Sequence, residues 1–155
     1  MADITVINQS LDAIDLKKIS EYTRKLSDIG DGFNKMMTHV YLRDFIIAYD
    51  VSTVMLAKAV HAEIQAKSHL EEVEAIAFLD KAGEFFKQRG EKPTVESKKA
   101  FVDLDPDVKQ AKETLARATA TVALMKGKTH EFREAIGAVK LLQNDGYTSQ
   151  WESMK

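Results

Sequence analysis

Toward the end of the chain a helical seam recurs at alternating steps of three and four residues, through Val108, Ala111, Leu115, Ala118, Val122, Met125, Thr129, Phe132, Ile136 and Val139. A seam that keeps a seven-residue repeat this long favours left-handed packing against another long helix. The pattern predicts a helix over 106–144. Asp105 is placed to cap it, Pro106 suits its first position, and Asn144-Asp145-Gly146 is the expected stop. Its partner is either an earlier helix of the same chain folded back on it or the same helix in another subunit.

An earlier long helix is predicted over 33–89, with a drifting stripe that includes Phe33, Met37, Val40, Ile47, Val54, Val60, Ile64, Leu70, Val73 and Phe86. A kink is expected near residue 50, where Asp50 could cap a new start and Val51, Ser52 and Thr53 lower helix propensity. Before it, 11–29 reads as a first helix capped by Ser10 or Asp12 and ended by Gly30-Asp31-Gly32. Residues 1–10 contain Ile4-Thr5-Val6-Ile7, a short strand or an extended arm; no later segment offers a strand partner, so an arm is expected. Gly90 and Pro93 end the long helix near Arg89, and Thr94 caps a short helix over 94–102. The tail, 145–155, is polar but carries Tyr147 and Trp151, either loose or anchored on a neighbour. The expected fold is all-α: one elongated helical hairpin with coiled-coil-like packing, a short N-terminal helix and a short helix at the elbow. Two such helices in a monomer would leave apolar stripes in water, which predicts a homo-oligomer.

Composition changes this picture little. The 155 residues hold no cysteine, which removes disulfides and thiolate metal sites and fits a reducing compartment. No signal-peptide pattern opens the chain and no window approaches a membrane-spanning apolar run, so a soluble cytoplasmic protein without membrane contact is expected. The net charge of −2 excludes the strong overall positive field of a duplex-DNA binder, so any anion site must be local.

The local distribution is uneven. Glu63 to Asp80 carries five acids and one lysine, whereas Lys81 to Lys99 carries six basic residues against three acids. The basic stretch coincides with the elbow and with Phe85, Phe86 and Phe101. Lysines and arginines that track phosphates, next to an aromatic face on which a base can stack, are the ingredients of a single-stranded nucleic-acid site. The candidate contacts are Lys81, Phe85, Lys87, Arg89, Lys92, Lys98 and Lys99. A solvated charged face explains the same cations, and the elbow's own core explains Phe86 and Phe101. The seam Val108, Leu115, Val122, Met125, Phe132, Ile136 and Val139 is the candidate packing and oligomer surface.

Other chemistry finds no support. His39, His61, His69 and His130 form no metal-binding spacing, and His69-Leu70-Glu71-Glu72 reverses the order used in di-iron bundles. There is no Gly-rich phosphate loop and no serine in a nucleophile elbow. No enzyme, metal or cofactor is expected.

Between Lys81 and Lys140 the chain resembles the UvsY-type recombination mediators of tailed phages. The resemblance rests on Phe85-Phe86-Lys87-Gln88-Arg89-Gly90, on Lys98-Lys99, on the acidic step Val102-Asp103-Leu104-Asp105-Pro106-Asp107-Val108, and on Ala138-Val139-Lys140. It implies a small helical homo-oligomer that binds single-stranded DNA, contacts a single-strand binding protein and helps a RecA-like recombinase displace it in DNA recombination and repair. The family places several basic residues just before its aromatic pair; here only Lys81 stands there, between Asp80 and Ala82. The competing expectation is a non-catalytic scaffold, adaptor or assembly chaperone acting through coiled-coil contacts, for which a charge at Leu115 or Val122 would abolish assembly.

Overall fold

The computed structural model describes residues 3–30 and 34–152, and side chains for 3–27, 34 and 36–143. Every regular element among them is helical: α1 (Ile4–Asp12), α2 (Leu16–Gly30), a 3-10 turn (Lys35–Met37), α3 (Thr38–Ile76), a π-helical segment (Ala77–Lys81), α4 (Ala82–Gln88), α5 (Val95–Leu104) and α6 (Pro106–Glu152). The all-α expectation holds. Two compact units divide the chain, one formed by Met1–Ala13 with Lys58–Val122 and the other by Ile14–Ala57 with Ala123–Lys155.

The expected N-terminal arm is instead the helix α1. Asp3 accepts a hydrogen bond from the Thr5 N–H at 2.9 Å, and Ile7 and Leu11 are buried. The cap and the burial outweigh the few tenths of a kcal/mol by which Thr5, Val6 and Ile7 disfavour a helix. The predicted helix over 11–29 is correspondingly corrected: α1 ends at Asp12, and α2 begins anew with Asp15 accepting from the Lys18 N–H at 2.9 Å. Neither expected cap is used. The Ser10 hydroxyl donates to the Val6 carbonyl, and Asp12 pairs with Arg117. Of the expected break Gly30-Asp31-Gly32, Gly30 is the last residue of α2, while Asp31, Gly32 and the stripe residue Phe33 lie outside the described residues.

No kink occurs near residue 50. Ser52 and Thr53 hydroxyls both donate back to the Tyr49 carbonyl, at 2.8 and 2.9 Å, so α3 absorbs these side chains without breaking. The irregularity lies later, in the π-helical turn Ala77–Lys81, flanked on both sides by ordinary α geometry. Through it the helical backbone runs on from Thr38 to Gln88 and includes an 18-residue window of mean hydropathy 1.3. By length and composition that stretch is apolar enough to cross a membrane, which corrects the expectation that no window would be; isolated charges such as Asp50 and Lys58 dilute an apolar run without removing its average character.

At the far end α4 closes as predicted. Gly90 takes φ +70°, its N–H donates to the Lys87 carbonyl, and the Glu91 N–H reaches the Phe86 carbonyl at 3.0 Å. These two bonds satisfy the end carbonyls of α4, and the positive φ favours the residue without a Cβ. Thr94 caps α5 by accepting from the Ser97 N–H at 3.1 Å. α6 runs through Asn144-Asp145-Gly146 to Glu152, past the stop expected there. A single helical Gly costs only about 1 kcal/mol, and no proline follows to force an end. The side chains of Tyr147 and Trp151, considered as anchors on a neighbour, lie outside the described side chains.

The seam of α6 is buried within the protomer. Val108, Ala111, Ala118, Val122, Met125, Phe132 and Val139 are buried, and Leu115, Thr129 and Ile136 are partly so. In the first unit Val108 packs with Ala77 and Val102 over Leu70, Val73 and Phe78. In the second, Phe132 meets Tyr22 edge-on at 6.2 Å. A charge at Val122 would therefore act on the fold of the protomer before any assembly.

Candidate nucleic-acid interface

The elbow lies wholly within the first unit, between the π turn and the start of α6. One carboxylate organises it. Asp105 ends α5 and begins α6, accepting from the Asp107 N–H at 2.9 Å and the Val108 N–H at 3.3 Å. It also accepts from Lys81 Nζ at 3.0 and 3.2 Å, and the same ammonium bonds Asp107. Burial alone would push the Asp105 carboxyl up. The hydrogen bonds from Lys81 and from the Val108 and Asp107 N–H groups, with the Lys81 charge, outweigh it and hold the carboxyl below its ordinary value. Hydrogen bonds to Asp107 and Asp105 raise the Lys81 ammonium in turn.

Lys81 is thus spent on structure: it ties the π turn to the start of α6, and two carboxylates neutralise it. Phe85 is likewise internal to the bend. Its ring stands 5.2 Å from Phe86 and 5.1 Å from Phe101, and the Arg89 guanidinium sits 4.3 Å above it. A face already engaged by Arg89 is not open to a base. Lys98 makes the same kind of contact with Phe78 at 5.2 Å. Lys87, Lys92 and Lys99 are exposed and carry no ion pair or hydrogen bond among the described residues. The three acids of the stretch, Glu84, Glu91 and Glu96, are exposed and make no ion pair with them.

Beside the bend lies an open groove of about 570 Å³, lined by Glu74, Ala75, Phe78, Leu79, Lys99, Val102 and Asp103. Its floor is apolar and its rim mixed. Lys112 spans the two acids, 3.0 Å from Asp103 and 3.6 Å from Glu74, and these contacts, led by the Asp103 hydrogen bond, raise its ammonium. The groove and the Lys112 bridge are not evident in sequence, because they join α3, α5 and α6 across separations that no helical spacing covers. The capping role of Asp105 is legible from Asp105-Pro106, whereas its pairing with Lys81, 24 residues earlier, is not. Among the described residues no three His, Asp or Glu side chains gather to hold a metal.

Of the seven candidate contacts, then, the bend leaves Lys87, Lys92 and Lys99 unengaged, holds Arg89 and Lys98 over aromatic rings with their charge intact, and uses Lys81 and Phe85 internally. No family model matches the chain, no curated protein matches it and no solved structure matches it, so the resemblance to UvsY-type mediators rests on the short residue matches between Phe85 and Lys140 alone.

Proposed function

We propose that this chain binds single-stranded DNA at the elbow through phosphate contacts, as a non-catalytic accessory protein of recombination. One observation carries the reading: Lys87, Arg89, Lys92, Lys98 and Lys99 present five positive charges in one bend, none tied up in an ion pair. A protein of net charge −2 gains anion affinity only from such a local cluster. The contacts differ from those suggested by sequence, since Lys81 and Phe85 hold the bend and the binding is electrostatic without a stacked base. Assistance to a RecA-like recombinase and contact with a single-strand binding protein follow from the resemblance only.

Fluorescence anisotropy of a labelled oligothymidylate across a salt series tests this. If four or five phosphates are engaged, log K falls against log salt with a slope of about −3. Lys87→Ala with Lys92→Ala flattens that slope by about 1.4, whereas Lys81→Met lowers stability and leaves the slope unchanged. Absence of binding at about 50 mM salt refutes the proposal.

A second reading, a scaffold or adaptor acting through protein contacts, is favoured by the apolar side chains exposed on α3, among them Ile46, Ile47, Val54 and Ile64.

A further inference from the structure

Two stripes with a seven-residue repeat run along α3. The inward one, through Phe45, Ala48, Ser52, Ala59, Ala62 and Ala66, is buried. The other, offset by two residues and so about 200° around the helix, runs through Ile47, Asp50, Val54, Ala57, His61 and Ile64. All six of its residues are exposed; Ile47 is 43%, Val54 58% and Ile64 63% accessible. A helix needs one apolar stripe to join its own core, and the second is unaccounted for by this fold. It alternates steps of three and four within a single uninterrupted helix, which is the a/d pattern of a coiled-coil seam.

We propose that this stripe is the self-association surface, and that it pairs α3 antiparallel with α3 of a second copy. The register follows from the residues themselves. With the two-fold axis between Val54 and Ala57, Ile47 of one copy meets Ile64 of the other, Val54 meets Ala57, and Asp50 meets His61. Antiparallel coiled coils stack an a position on a d position, and each of these pairs does so. The polar layers match as well: Asp50 and His61 have no hydrogen bond or ion pair among the described residues, and this register gives each the other as partner, twice over. An Asp50 facing its own copy, as in a parallel pairing, would set carboxylate against carboxylate. A lipid surface fits the stripe less well, because Asp50 and His61 sit in the middle of it. The surface differs from the α6 seam, which the protomer itself covers, and it is independent of the nucleic-acid reading.

Sedimentation equilibrium of the full chain, up to about 100 µM, is expected to give twice the 17.4 kDa of one copy. His61→Asp opposes two carboxylates in both polar layers and is expected to weaken the dimer about tenfold or more, with an unchanged helical circular-dichroism signal. Asp50→His combined with His61→Asp restores the pairing in reversed sense and recovers the dimer. The chain has no cysteine of its own, so Ile47→Cys and Ile64→Cys chains report orientation. Mixed, they cross-link on oxidation; Ile47→Cys alone does not, its two copies lying about 25 Å apart along the axis. The proposal is overturned by a monomer at every concentration, by single variants that dimerise as wild type does, by cross-linking of Ile47→Cys alone, or by a monomer that floats with phosphatidylcholine–phosphatidylglycerol vesicles.

Discussion

Replacing Asp105 tests how the elbow is held. The residue is 5% exposed and does two things at once, capping α6 and neutralising Lys81. Asp105→Ala removes both. Loss of the cap, which leaves the buried Val108 without its N–H acceptor, costs about 1 kcal/mol. The ion pair adds about 1 kcal/mol more, a low figure because the Lys81 side chain is 37% exposed and keeps Asp107. Asp105→Asn keeps an oxygen for the cap and loses only the charge pair, so it should cost about half as much. With a urea dependence of about 2 kcal/mol/M, the midpoint falls by about 1 M for Ala and about 0.5 M for Asn. Equal damage from Asn and Ala, or unfolding of both together with the wild type, refutes this double role of Asp105. The pH dependence provides a second readout. Because the folded carboxyl lies below its ordinary 3.8, its contribution is complete above that value and is lost as pH falls through the folded value. The gap between wild type and Asp105→Asn should therefore close in acid. Lys81, raised above 10.5, contributes fully below that value and loses its share only as pH rises beyond it.

Two further substitutions separate backbone from packing effects. Gly90→Ala should lower stability by about 1 kcal/mol in thermal melts, all of it from the φ of +70°, since an added Cβ meets nothing within 4 Å; no change would show that the bend relaxes to another closure. Phe132→Ala, at a fully buried position beside Tyr22, should cost about 3–5 kcal/mol in urea unfolding, and a loss under 1 kcal/mol would mean that the α6 seam is not packed as described.

The candidate site shows where residue chemistry stops being sufficient. That basic and aromatic residues share the elbow is readable directly, because 85–101 is a short local stretch. Which of them are free is not. Lys81 and Lys87 look equivalent as letters; one lies in the π turn within reach of Asp105 and Asp107, the other on the exposed side of α4. Phe85 is a candidate stacking face by sequence, yet its ring lies 5.1 Å from Phe101 and 4.3 Å from the Arg89 guanidinium. Ion pairing and ring stacking depend on distance between elements, and distance is absent from a linear pattern.

The same division runs through the fold. Helical spacing, the Gly90 stop, the Thr94 cap and the Asp105-Pro106 start act over five residues or fewer, so an all-α chain bent at this elbow is legible in the linear pattern. Packing settles what the local pattern leaves open: that Ile4-Thr5-Val6-Ile7 is a helix with Ile7 buried, that the helix loosens at the buried Ala77, and that the α6 seam is covered inside the protomer. Ala77 packs with Val102 and Val108, and Phe132 meets Tyr22, all far away in sequence, and burial of this kind is worth more than the local preferences it overrides.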